Sequence, residues 1–213
     1  FDWADLIDNE DKVRMLIDPT SDYARAAAMA MGRAMDEVLI DAALGTAFTG
    51  VSGGTSTAGQ TAVAAGATGL TLAKLLTAKE TMDGDDVGED GRAIVCTADQ
   101  ITDLLNTTAI QSADFNTVKA LARGEVDSFL GFRFIPVNGK RTDGSKLVPV
   151  DGSSDRRCFA FQGDGLLLGV GADMNTKISE RADKNYATQV FCSMSIGGTR
   201  MEEARVLEIL CAE

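Results

Sequence analysis

The chain of 213 residues has 45% hydrophobic and 24% charged residues, an ordinary globular composition that fits one large domain or two small ones. Its formal net charge of −12 at pH 7 argues against broad binding of nucleic acid or of anionic membranes, which requires clustered lysine and arginine. The absence of histidine excludes a Ser-His-Asp or Cys-His nucleophile within the chain and removes the commonest general base and metal ligand.

Residues 1–17 carry apolar side chains in a pattern that predicts a helix, with Phe1, Trp3, Leu6 and Ile7 followed by Val13, Leu16 and Ile17. No signal peptide and no run of roughly 20 apolar residues is visible, so we expect no membrane partner. Because position 1 is Phe and already belongs to this pattern, we interpret the chain as the inside of a longer polypeptide.

A long helix is predicted over about residues 19–44. Asp18 and Thr20 are suitable N-caps, and Pro19 suits the first helical position. Gly45 is where a left-handed residue would end the helix. About 25 residues would form a rod of roughly 37 Å, about twice the mean length of a globular helix. Apolar residues form two rows along it, one with Tyr23, Ala27, Ala30, Ala34 and Val38, the other with Ala28, Met31, Met35, Leu39 and Ala43.

A glycine-rich segment at residues 46–69 follows, which predicts a flexible loop or a thin hairpin with a short strand over Gln60–Ala64. The next helix is predicted to begin after the N-cap Thr71 and to end near Gly84. The acidic run Asp83–Asp90 departs from the calcium-loop consensus, so we interpret it as a solvated turn.

The remaining elements mix helix and strand. Arg92–Cys96 predicts a buried strand, and Thr97 with Gln100 predicts the capping box of a following helix. The other predicted elements are a helix over Asn116–Ala122, strands over Gly131–Val137 (an edge strand because of Pro136), Lys146–Val150, Cys158–Phe161, Leu166–Val170, Lys177–Ala182, Tyr186–Ile196 and Ala204–Leu210, and a turn at Gly197-Gly198. This order lacks a regular βαβ alternation and therefore favours an α+β fold.

The cysteines Cys96, Cys158, Cys192 and Cys211 are scattered through apolar stretches, which predicts buried free thiols and no metal or cofactor site. No catalytic residue is predicted. Two clusters of mixed charge are instead typical of contacts that set the register between subunits. The predicted contact residues are Glu180, Arg181, Asp183 and Lys184 in the first cluster, and Arg200, Glu202 and Glu203 in the second.

Six strings of residues, spread over nearly the whole chain, carry a resemblance. They are Arg14–Ser21, Ala42–Ala47, Leu70–Leu75, Gln100–Leu105, Ile178–Tyr186 and Gly198–Glu203. In their order and number they resemble the major capsid proteins of tailed bacteriophages, in a podovirus-type branch of the Hong Kong 97-like capsid fold. None of the strings is a chemical motif, so the resemblance rests on their succession along the chain.

The resemblance implies an α+β capsid fold with a long spine helix, a peripheral β-sheet domain and an axial α/β domain. Residues 1–69, with the spine helix, and residues 174–213 would form the peripheral domain, and residues 70–173 the axial domain. The family also carries an N-terminal arm and an extended loop before the spine, for which this sequence has no room.

The function implied is structural and not enzymatic. The protein would assemble with itself into hexamers and pentamers of an icosahedral head that encloses double-stranded DNA, in the virion after assembly in the host cytoplasm. Scaffold, portal and decoration proteins are further partners that such a role allows. Two alternatives remain open: an encapsulin-type compartment shell of the same fold and, less favoured, a metal-dependent enzyme that uses aspartate and glutamate.

Overall fold

The computed structural model of the chain describes residues 1–8, 20–49, 54–55, 63–106, 128–141 and 143–213. The chain divides into two compact units. Unit 1 comprises Phe1–Val38 and Leu168–Gly197, and unit 2 comprises Leu39–Leu167 and Gly198–Glu213. The predicted caps at Asp18 and Pro19, the predicted helix Asn116–Ala122 and most of the predicted strand Gln60–Ala64 lie outside the described residues.

Three helices and ten strands are described. In chain order they are β1 (Asp2–Ile7), α1 (Thr20–Leu44), β2 (Phe48–Thr49), β3 (Gly54–Thr55), α2 (Leu72–Gly84), β4 (Arg92–Cys96), α3 (Ala98–Asn106), β5 (Ser128–Phe129), β6 (Phe132–Pro136), β7 (Arg156–Gln162), β8 (Leu166–Arg181), β9 (Ala187–Arg200) and β10 (Val206–Cys211). The prediction of a long helix near residues 19–44 is confirmed by α1. Strands β2 and β3 pair with each other in a short antiparallel ladder.

Unit 1 is built on a three-stranded sheet in the order β1-β9-β8. β1 lies antiparallel to β9, with Asp2 opposite Ser193 and Ile7 opposite Thr188. Strands β8 and β9 are joined by a short 3-10 turn at Ala182–Lys184. The sequence predicted two separate strands where the single strand β8 runs for 16 residues.

The core of unit 1 lies between α1 and this sheet. Ala27 and Met31 of α1 are buried against Cys192 and Met194 of β9, with Trp3 of β1 packed beside them. Both predicted rows of α1 therefore contribute to burial, because Ala27 comes from one row and Met31 from the other. The small side chain of Ala27 lets the helix approach the strand closely, and its exposed surface is 0%.

Unit 2 contains a five-stranded sheet in the order β10-β7-β4-β6-β5. All neighbouring strands are antiparallel except β4 and β6, which run parallel. Apolar side chains cover both faces of the sheet, since successive residues of a strand point to opposite sides. On β4, Ile94 belongs to one apolar cluster and Val95 to the other. Helix α2 packs on the first face through Leu75, Ala78 and Met82, and the last turn of α1 packs on the second through Ile40, Ala43 and Leu44.

The predicted caps of α2 and α3 are confirmed. The Thr71 hydroxyl accepts a hydrogen bond from the Lys74 backbone N–H at 3.4 Å. The Gln100 Oε1 accepts from the Thr97 backbone N–H at 3.0 Å, which is the return bond of a capping box. These local bonds satisfy backbone donors that the helices cannot satisfy internally.

Several local predictions are wrong. Residues 2–7 form β1 rather than a helix, because the backbone of β9 offers a ladder of partners, and Ile7 is buried while Leu6 is 41% exposed. Gly45 is not left-handed: its N–H donates to the Asp41 carbonyl oxygen at 2.8 Å, and an added Cβ would lie 2.5 Å from that oxygen. Gly197-Gly198 lies inside β9 and makes no turn.

Two further strand predictions need correction. Residues 146–150 form isolated bridges, from Lys146 to Lys140 and from Val150 to Arg156, and not a strand. β6 is not an edge strand, since it lies between β4 and the two-residue strand β5. Pro136 pairs with Cys96 of β4. Strand β5 pairs only with Phe132 and Arg133 of β6, so Pro136 has no partner on the β5 side among the described residues. The missing N–H of Pro136 therefore costs no hydrogen bond to β5.

We expect Ala27→Leu to lower the free energy of unfolding by about 1–3 kcal/mol, because the larger side chain must be forced into the contact with Cys192 and Met194. Chemical denaturation measures the change. The matched control is Ala28→Leu, which adds the same volume at an exposed position of the same helix. Equal stability of the two variants would contradict the close packing of α1 on β9.

Candidate subunit-contact surfaces

The described residues contain no group of three or more histidine, cysteine, aspartate or glutamate side chains that could hold a metal ion. The four cysteines are free and buried, as predicted. Burial raises the pKa of Cys96 to about 12, so this thiol stays protonated at neutral pH. In the same part of the chain, no helix has the length and apolar character that crossing a bilayer requires.

The first predicted cluster lies around the turn between β8 and β9, and we call Glu180, Arg181, Asp183 and Lys184 the hairpin-tip group. All four are exposed. The Arg181 Nε and Nη2 donate to the two carboxylate oxygens of Asp183, each at 2.7 Å. The Arg181 Nη1 donates to the Gln189 Oε1 at 3.1 Å. This bidentate pair fixes a charged tip whose other polar groups can bind a partner.

The backbone of the same turn is strained. Asn185 and Tyr186 have φ angles of 51° and 58°, and a bulky tyrosine is an outlier in this region. The Tyr186 side chain is 62% exposed. Exposed tyrosine is enriched in protein interfaces, and backbone strain is concentrated at functional positions. The sequence carried no signal for a left-handed backbone at Tyr186, since only the neighbouring asparagine is a residue that tolerates this conformation.

The hydrogen bonds from Arg181 lower the pKa of Asp183 to about 2. A depressed pKa keeps the pair ionised from neutral pH down to roughly that value, and protonation below it breaks the pair. We expect Arg181→Met to return the pKa of Asp183 toward its ordinary value of about 4. Carbon-detected NMR titration of the side-chain carboxyl measures both values, and an unchanged pKa in the variant would contradict the pairing.

Arg200, from the second predicted cluster, is buried, and its contacts lie within the chain. Its side chain is 0% exposed. The Nη1 donates to the carbonyl oxygens of Ala43 at 2.7 Å and Gly45 at 3.1 Å. The Nη2 lies 4.0 Å from the Glu203 carboxylate. Arg200 thus binds the end of α1, a role that the sequence pattern did not reveal.

A second arginine acts on the same helix end. The Arg157 Nη2 donates to the Leu44 carbonyl oxygen at 3.1 Å, while its Nε pairs with Glu208 at 2.5 Å. Helix α1 has no basic residue in its own last turn. The last carbonyls of a helix lack internal partners and carry partial negative charge, so cations from β7 and β9 supply what the local sequence lacks.

The other members of the second cluster remain at the surface. Glu202 and Glu203 are 55% and 41% exposed. The Arg205 Nε donates to Glu202 at 2.5 Å, and its Nη1 donates to Gln162 at 3.0 Å. This group belongs to unit 2, whereas the hairpin-tip group belongs to unit 1. The contact predicted for Glu202 and Glu203 stays a prediction, whereas Arg200 is buried and its hydrogen bonds lie within its own chain.

We expect Arg200→Met to lower the free energy of unfolding by roughly 1.5–3 kcal/mol, because two hydrogen bonds from a charged donor to the end of α1 are lost. Methionine keeps much of the buried aliphatic volume. Thermal or chemical unfolding measures the change. Arg205→Met is the control and should cost less than about 1 kcal/mol, since its ion pairs are exposed. Similar losses in the two variants would contradict the assignment.

Solved structures with a similar fold are viral capsids and related shells. The capsid of cyanophage P-SCSP1u aligns with a TM-score of 0.72 and 19% identity, over 100% of this chain and 72% of that chain. A structure from Mycobacterium phage Che8 aligns with a TM-score of 0.68 and 18% identity, over 98% of this chain and 69% of that chain. The SrpI encapsulin complex of Synechococcus elongatus aligns with a TM-score of 0.59 and 10% identity, over 99% of this chain and 72% of that chain. No curated protein sequence matches this chain.

These likenesses establish the fold, which is that of the Hong Kong 97-like capsid proteins, as the resemblance in the sequence implied. The mixture of helices and strands confirms the expected fold class. A family model described as phage capsid protein matches residues 1–213, and the chain therefore belongs to the phage capsid protein family.

Proposed function

We propose that this structural capsid protein assembles into hexamers and pentamers of an icosahedral phage head that encloses double-stranded DNA. The observation that carries the proposal is the match of the whole chain to the phage capsid protein family. The capsid likenesses support it, since they extend over nearly all of this chain. A shell subunit acts through lateral contacts, and the surface groups described above supply polar and charged surface for them.

The domain roles belong to the same proposal. Helix α1 would be the spine of a peripheral domain formed by residues 1–69 and 174–213, and residues 70–173 would form the axial domain that lines the capsomer centre. Strand β10 pairs with β7, so the axial sheet would take one strand from the C-terminal segment.

The lateral contacts would be made by the hairpin-tip group together with Glu202 and Glu203. Exposed groups of both signs can set the register between copies and reject wrong orientations. Arg200 would act indirectly, because it holds the end of α1 inside its own chain. Tyr186 adds an exposed aromatic surface at the hairpin tip.

A shell that encloses DNA does not need to bind it specifically. The net charge of −12 disfavours tight binding to phosphates, which suits a container wall. We propose packaged DNA, with scaffold, portal and decoration proteins, as partners at the level of the particle. Assembly would take place in the host cytoplasm, and the mature protein would reside in the virion.

Electron microscopy of the expressed gene product tests the proposal. We expect closed icosahedral particles from the gene product. Arg181→Glu should reduce particle yield at least several-fold without a matching loss of thermal stability, since its side chain is 44% exposed. Monodisperse monomers under all assembly conditions would contradict the shell function.

An encapsulin-type shell is the second candidate, because an encapsulin shares the fold. Particles purified from infected or lysogenic cells distinguish the two functions. Nuclease-resistant DNA of uniform length inside them would support the phage head. A co-purified cargo protein in place of DNA would overturn it in favour of the compartment.

A further inference from the structure

Strand β8 is a long edge strand whose outer part is exposed on both faces. It lies at the end of the sheet order β1-β9-β8, so no strand among the described residues pairs with its outer edge. Every residue from Gly169 to Arg181 is exposed. A long edge of unpaired N–H and C=O groups is a template for another strand, and proteins that stay monomeric usually block such edges.

In the outer part of β8, from Gly169 to Arg181, the large apolar residues lie on one face of the strand. Val170, Met174 and Ile178 are 53%, 39% and 53% exposed, and their even numbering places them on the same side. Thr176 shares this side, and its hydroxyl lies 3.2 Å from the buried thiol of Cys192. This is the side on which α1 covers β9. The apolar face therefore continues from the core of unit 1 onto β8, where Val170, Met174 and Ile178 are exposed in the part of the chain that the structure describes.

The charges of β8 indicate what covers it. Asp173 and Lys177 lie on the opposite face, two residues on either side of Asn175. If two copies of β8 pair antiparallel about Asn175, Asp173 of each copy faces Lys177 of the other. The same register places Ala172 opposite Ile178 and Met174 opposite Thr176. It also leaves Val170 opposite Glu180, so the match of the strand to itself lies in the charges of Asp173 and Lys177 and in the Ala172–Ile178 pair.

Other registers of the same symmetry lack this match. A two-fold axis perpendicular to the sheet keeps each face of β8 on the same side in both copies. Even-numbered residues then face even-numbered residues and odd face odd, so the axis must pass through a residue and not between two residues. Centres at Met174 or Thr176 leave Asp173 and Lys177 without opposite charges. A centre at Lys177 pairs Asp173 with Arg181 but places the two Lys177 side chains opposite each other, which is destabilising.

We propose that β8 pairs antiparallel with β8 of a second copy of this chain, about a two-fold axis at Asn175. The contact joins two three-stranded sheets into one six-stranded sheet and brings Ile178 of each copy beside Ala172 of the other. It rests on the proposed shell function and names one contact between copies. Strand addition of this kind takes its affinity from main-chain hydrogen bonds and its specificity from side-chain pairs.

A cysteine at the centre tests the symmetry. In the full-length protein, Asn175→Cys should form a disulfide-linked dimer under mild oxidation, because directly opposed residues lie about 4.5–5.5 Å apart between Cα atoms. The four native cysteines are buried and give little background. Ser179→Cys is the matched control: in this register its two copies are eight residues apart along the strands, roughly 27 Å, and should not crosslink. Equal crosslinking of both variants, or no crosslinking of the Asn175→Cys variant, would overturn the proposal.

Charge exchange tests the register independently. In the Asn175→Cys background, Asp173→Lys alone or Lys177→Asp alone replaces two opposite-charge pairs by two like-charge pairs and should lower the crosslinking yield about fivefold. The double variant, Asp173→Lys with Lys177→Asp, restores both pairs and should restore the yield. These positions are exposed, so folding should be unaffected. A double variant no better than the single variants would overturn the Asn175 register.

The same samples separate this proposal from the shell function. Closed particles without a dimer crosslink at position 175 would leave the shell function standing and refute the β8 pairing. Crosslinked dimers that never form particles would support the β8 pairing and contradict the shell function. Electron microscopy and non-reducing gels of one preparation give both results.

Discussion

Two arginines hold the end of helix α1: Arg200, which is buried, and Arg157, which is partly buried. The packing of the helix end in unit 2 depends on their hydrogen bonds to its last carbonyl groups. Arg200 and Arg157 donate to the carbonyl oxygens of Ala43, Leu44 and Gly45, at the negative end of a 25-residue helix. These carbonyls have no partner within the helix, and burial without one is costly. Because the arginines come from β7 and β9, the helix end can pack on the five-stranded sheet through Ile40, Ala43 and Leu44.

The two units use α1 in chemically different ways. In unit 1 it presents small and flexible side chains, Ala27 and Met31, which permit close contact with β9. In unit 2 its last turn presents larger aliphatic groups to a sheet that is apolar on both faces. A sheet covered on two sides needs near-continuous apolar strands, which is why Arg92–Cys96 and Val206–Cys211 contain so few polar residues.

The charged groups of the described surface include paired residues that are largely exposed. At the hairpin tip and near β10 the exposed charged residues form short local pairs, Arg181 with Asp183 and Arg205 with Glu202. Paired charges of this kind contribute little to folding, but they can orient a partner. The proposed contacts between copies rest on the exposed apolar residues of β8 and on Tyr186, whose side chain is exposed and whose backbone is strained.

The sequence by itself determined the elements whose causes are local. The long helix follows from uninterrupted helix formers, the caps at Thr71 and Thr97 follow from neighbouring side chains, and the buried cysteines follow from apolar surroundings. The order of the six residue strings that resemble capsid proteins also indicated the family. Tertiary structure alone decided the rest. Residues 2–7 became a strand because β9 offered a ladder, Gly197-Gly198 stayed extended within the long strand β9, and Arg200 left the predicted surface because carbonyls some 157 residues earlier in the chain required a donor. The partners of residues 2–7 and of Arg200 lie far away in sequence, where no local pattern can report them.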